Sequence, residues 1–174
     1  MVSTIHSMGI NGIEAFSVNI ESDISQGMPA CDIVGLPDAS VKEAKNRVRS
    51  AIKSCGFTFP LARITINLAP ADVRKMGSNY DLPILLSILT SSGQLPPISN
   101  KSVFIGELSL SGNIVPINGV LPMTIQAKQL GFENIFVPEK NASEAAAIEA
   151  AITELTHGAA VMLVGEESFQ PLAI

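Results

Sequence analysis

Positive charge is the chemistry this chain concentrates. Eight of its eleven Lys and Arg residues fall between Lys42 and Lys75, where only Glu43 and Asp72 oppose them. That window carries a net charge of +6 and the remainder of the chain −11. Lys42, Lys45, Arg49 and Lys53 recur at helical spacing and form one stripe, and Arg47, Arg74 and Lys75 add to it. Cations grouped this way contact phosphates, so all seven are candidates for DNA binding. The plain alternative is a solvated helix face. Asp72 and Asp81 flank the loop that holds Arg74 and Lys75. They have the look of paired carboxylates, but helix capping and a salt bridge to Arg74 account for them more simply. His6 and His157 are the only histidines. Neither has a metal-ligand neighbour at useful spacing, so no metal site is expected. No Gly-Lys pair and no GxGxxG occurs, which excludes both common nucleotide-binding loops from this stretch of chain. No cofactor is expected here.

The element that must position the loop is the segment from Arg63 to Leu89. Ile64–Leu68 alternates apolar and polar residues and predicts a strand. Leu82–Leu89 is apolar almost all round and predicts a buried helix, with Pro83 in its first turn and Asp81 or Asn79 as cap. The basic stripe lies on a helix expected from about Ala39 to Cys55. Asp38 or Ser40 caps it, Ser40 and Glu43 fit a capping box, and Gly56 stops it. Its apolar stripe is Val41, Ala44, Val48, Ala51, Ile52 and Cys55.

Around these, residues 2–20 predict a hairpin turning at Asn11-Gly12. Ser22–Pro29 reads as a loop, and Cys31–Leu36 as a short strand ended by Pro37. Val103–Leu110 predicts a strand that turns at Ser111–Asn113 into Ile114–Ile117. A helix follows over about 120–130, then a strand at 134–137. Asn141 with Glu144 fits a capping box opening an Ala-rich helix to about Leu155, and Val161–Val164 is the last strand. The class is mixed α/β in one domain.

No apolar run is long enough to span a membrane, and residues 1–10 lack the basic and apolar regions of a signal peptide. Cys31 and Cys55 stand apart, which suits reduced thiols in the cytoplasm. With no Trp and one Tyr, base stacking is a poor expectation.

Three phrases, VGLPDASVKEAKNRVRSAI, ITINLAPADVRKMGSNYDLPILL and GELSLSGNIVPINGV, resemble the N-terminal domain of magnesium-chelatase-like AAA+ ATPases of the ComM (YifB) type. The resemblance covers nearly the whole chain, residues 1–174, as a single Lon-like (ChlI-type) domain. It implies that an AAA+ module carrying ATP and Mg2+ lies C-terminal to this stretch. It also implies a hexameric, DNA-dependent parent motor linked to natural transformation and branch migration. The implied role of this domain is a non-catalytic accessory one, in DNA contact, ring assembly or both. A purely structural oligomerisation domain is the alternative. A Ser-dependent peptidase or a magnesium chelatase subunit fits less well.

More distantly, the chain is similar to the proteolytic domain of Lon and the C-terminal domain of RadA. This implies the ribosomal-protein-S5 domain-2-like fold, a mixed sheet with helices packed on it. Aligned on Lon's Ser–Lys dyad, the nucleophile position holds Asn79 and the lysine position Leu121, with Ser78 one residue away. Neither an amide nor an isobutyl group attacks or deprotonates a substrate, so the resemblance implies no catalytic residue here.

Overall fold

The computed structural model describes residues 2–146 and 160–164, the latter by backbone. Strands β1 (Ser3–Asn11) and β2 (Glu14–Ser25) form the expected hairpin, with Asn11 opposite Glu14 and Gly12 at φ +64°. β2 runs on through Ser25, taking in residues that read as loop, because β4 (Arg63–Ala69) pairs antiparallel along it. β3 (Ala30–Val34) pairs parallel with β4 and ends before Pro37. β5 (Ser102–Phe104) joins the other side of β1 in parallel, followed by β8 (Asn134–Pro138) and β9 (Ala160–Val164). The result is one mixed seven-stranded sheet in the order β3-β4-β2-β1-β5-β8-β9.

Strand alternation supplies the sheet with two cores. Ile5, Ile20, Ile64, Ile66 and Leu68 face helices α1 (Ala39–Ser54) and α2 (Asp81–Ser91). Met8, Val103, Ile135 and Val137 have the other parity and meet α3 (Val120–Gln129). The α2 helix has almost no exposed face: only Thr90 escapes full burial. At about 1.5–3 kcal/mol per buried Leu or Ile, its six large aliphatic residues dominate that core. Its polar residues are matched too. Ser3 and Ser22 hydroxyls donate to the Ser87 carbonyl at 2.7 and 2.8 Å, tying the helix to the hairpin.

Four local expectations need correction. Val103–Leu110 is not one strand: it breaks at Ile105-Gly106, and β6 (Glu107–Leu108) leaves the main sheet to pair with β7 (Ile114–Val115). At the break the Gly106 main chain turns to α2, its N–H donating to Asn79 O and its carbonyl accepting from Leu82 N–H, both at 3.0 Å, and a Cβ there would press on Ile114. Neither capping box forms. Asp38 alone caps α1, accepting from Val41 N–H at 2.8 Å, and Asn141 instead clamps both main-chain groups of Ile117. Glu144 reaches across to the Leu121 N–H in the first turn of α3. Finally, neither Asn79 nor Asp81 caps α2; its N-cap residue is Tyr80, with no side-chain bond. The predicted Ala-rich helix begins after a 3-10 turn at Glu139–Asn141, and its continuation past residue 146 lies outside the described residues, as does His157.

Candidate functional site

The loop from Pro70 to Ser78 is held by main-chain bonds to the turn that starts α1. Lys75 N–H donates to Leu36 O at 3.1 Å, and Asp38 N–H to Lys75 O at 3.0 Å. Asp38 also accepts from Gly77 N–H at 3.3 Å, so one carboxylate caps α1 and anchors the loop. Gly35 precedes this contact at φ +96°, and a Cβ there would run into the Leu68 carbonyl.

This packing removes Lys75 from the surface. Its side chain is fully buried, its ammonium donates to the Pro70 carbonyl, and burial lowers its pKa against the pull of Asp72. Arg47 is also turned inward. It grips Asp81 with two bonds, Nε at 2.6 Å and Nη2 at 3.0 Å. The Asp81 carboxylate is wholly buried and also accepts from Leu108 N–H at 3.1 Å. Burial pushes the Asp81 carboxyl up, while the Arg47 bond and the Leu108 N–H pull it down. Asp81 therefore does not cap α2 or form half of a carboxylate pair. It ties α1, α2 and β6 together, and Asp72 makes no salt bridge to Arg74.

Five of the seven candidate cations remain exposed: Lys42, Lys45, Arg49, Lys53 and Arg74. None has a carboxylate within ion-pair distance among the described residues. The Arg49 guanidinium lies 4.8 Å from the centroid of the Phe59 ring, which orders it without neutralising it. Four of the five follow the outer side of α1, Arg74 stands in the loop held to its start, and all five present free positive charge.

Beside the loop lies a cleft of about 540 Å³ between Met76–Asn79, Glu107 and Pro116–Gly119. Ser78 stands in it, and its hydroxyl donates to the Glu107 carboxylate rather than to any lysine. Asn79 is buried and donates from Nδ2 to Met8 O at 2.8 Å, a structural bond between loop and β1. Leu121 is half-exposed on α3. Lining the cleft are a carboxylate, a hydroxyl and amides, with no imidazole, thiol or amine. Glu107 is a partner that sequence reasoning missed: it lies 29 positions from Ser78, and no local pattern links them. His6 bonds Asn19 at 2.8 Å, and no metal-binding cluster occurs among the described residues.

Residues 20–141 match the family described as subunit ChlI of Mg-chelatase. The chain belongs to this ChlI family. The uncharacterized protein YifB of Salmonella typhimurium is 43% identical over 145 residues, and the competence protein ComM of Haemophilus influenzae 40% over 148. These alignments take in 82% and 84% of this chain but only 28% and 29% of those relatives. This ChlI-family chain thus spans under a third of their length. A weaker similarity, 26% identical over 129 residues, links it to Lon protease of Chloroherpeton thalassium, covering 70% of this chain and 15% of that protein. In the ChlI-family chain, Asn79 is an amide spent on Met8, and Leu121 is an aliphatic side chain half-exposed on α3. Among the described residues no helix is long and apolar enough to cross a membrane.

Proposed function

We propose that this is a non-catalytic accessory domain of a longer, DNA-acting AAA+ ATPase, and that it contacts DNA through the outer row of α1. The carrying observation is that Lys42, Lys45, Arg49, Lys53 and Arg74 are exposed and carboxylate-free while the rest of the chain is acidic. Phosphate contact needs uncompensated cations, and this row supplies them without base-reading aromatics. One relative is named a competence protein, which supports this reading. ATP and Mg2+ belong to the ATPase module of the parent, and the parent works as a hexamer in this reading. Two free cysteines, both partly buried, suit the cytoplasm.

The non-catalytic part of the proposal rests on the cleft. Among the described residues the Ser78 hydroxyl bonds the Glu107 carboxylate and no lysine ammonium, and the Lys75 ammonium is spent on the Pro70 carbonyl. The test is binding of this chain to single-stranded and branched DNA across a salt series. Affinity falls linearly on a log–log plot, and Lys45→Glu, Arg49→Glu and Arg74→Glu each flatten the slope by about 0.7–0.9. No binding at low salt, or binding indifferent to these reversals, refutes direct DNA contact.

A further inference from the structure

The main sheet has an open edge at β3, and its surroundings describe a ligand different from DNA. Among the described residues β3 pairs only with β4, so no strand lies on its outer side. Two clefts, of about 260 and 510 Å³, meet along it and share Cys31 and Lys45. Edge strands are normally blunted by lysine, by proline or by a bulge. Ala30–Val34 has none of these, only Asp32. Apolar side chains stand exposed just beyond both ends: Met28 before the strand and Leu36 after it.

We propose that this edge takes an extended acidic segment of a partner protein, which adds to the sheet as an eighth strand. The charge argument is direct. Lys42, Lys45 and Arg49 line the clefts from α1, and Arg63 lines them from β4. The one carboxylate, Asp32, lies 3.8 Å from Arg63 and is partly offset by it. A strand added here sends alternate side chains to the α1 side, where carboxylates at every second position meet Lys45 and Arg49. The main chain selects peptide over phosphodiester. A free strand edge alternates N–H donors with C=O acceptors, and only another peptide backbone matches both. A phosphate chain offers acceptors alone and leaves the carbonyls of β3 unmatched. The inference is independent of DNA contact, although both ligands use Lys45 and Arg49 and so compete.

The experiment uses this chain and a fluorescein-labelled peptide of about eight residues alternating glutamate and threonine. Fluorescence anisotropy reads binding, and alkylation of the half-buried Cys31 reads occupancy of the edge. Saturable binding is expected, together with slowed Cys31 alkylation. Methylating alternate backbone nitrogens of the peptide weakens binding by at least about tenfold, and so does Lys45→Glu with Arg49→Glu, two exposed positions that leave the core intact. Equal affinity for the methylated peptide overturns the proposal, since charge alone then binds. Oligothymidine that protects Cys31 where the peptide does not also overturns it in favour of a nucleic-acid trough. Light scattering that shows self-association with Cys31 already protected gives the edge to a second copy instead.

Discussion

Breaking the Arg47–Asp81 pair from either side gives unequal, non-additive losses that track pH. Asp81 is wholly buried, and Arg47 retains about a fifth of its side-chain exposure. Removing one partner of a buried pair costs about 3–5 kcal/mol, because a charge is left in the interior. Asp81→Asn falls at the low end, about 3 kcal/mol, since the stranded guanidinium sits at the rim and draws in water. Arg47→Met strands the carboxylate, which keeps only Leu108 N–H, and costs about 4 kcal/mol at neutral pH. The double variant Asp81→Asn with Arg47→Met loses less than the sum by about 2 kcal/mol, because no uncompensated charge remains.

Urea unfolding followed by circular dichroism measures this. With a slope of about 2 kcal/mol per molar, a loss of 3 kcal/mol moves the midpoint by about 1.5 M. The pH signature is sharper. Burial alone raises the Asp81 pKa, and Arg47 opposes that rise. In Arg47→Met the folded pKa therefore stands further above the unfolded value. Stability is kept below the unfolded pKa and lost as pH climbs through the folded one. Arg47→Met is thus less damaging at pH 4 than at pH 7.5. Additive single losses, or a pH-independent Arg47→Met, refute this account of the pair.

Other perturbations follow from single observations. Lys75→Met flattens alkaline stability: the folded pKa of Lys75 is depressed below 10.5, so the wild-type chain gains stability as pH rises from that lowered value toward 10.5, and the variant does not. Leu36 holds φ +56° with a half-exposed side chain, so Leu36→Asn, which tolerates that region, raises stability by about 0.5–1 kcal/mol in urea titrations. A fluorophosphonate probe leaves Ser78 unlabelled at neutral pH by mass spectrometry, because its hydroxyl bonds Glu107 and no lysine or histidine.

The local rules read most elements from sequence. Asn11-Gly12 located the hairpin, Asp38 was one of two candidate caps for α1, and the unbroken apolar run after Tyr80 marked the buried helix. Each depends on contacts within a few residues, which composition and spacing record directly. The break at Gly106 escaped notice. Ile105 and Gly106 sit within an apolar run that reads as continuous, but both main-chain groups of Gly106 bond to Asn79 and Leu82, distant in sequence, instead of to a strand.

The sequence alone determined that this chain carries a positive segment on an acidic body, and that it holds no Gly-Lys pair and no GxGxxG. Only the tertiary structure decided which cations remain available. Charge is additive along a chain, but availability depends on neighbours far away in sequence. Arg47 meets Asp81 across 34 positions, and Lys75 is enclosed by the Leu36–Asp38 turn. Counting charges treats all seven cations as equivalent; folding commits two to the interior and leaves five facing water.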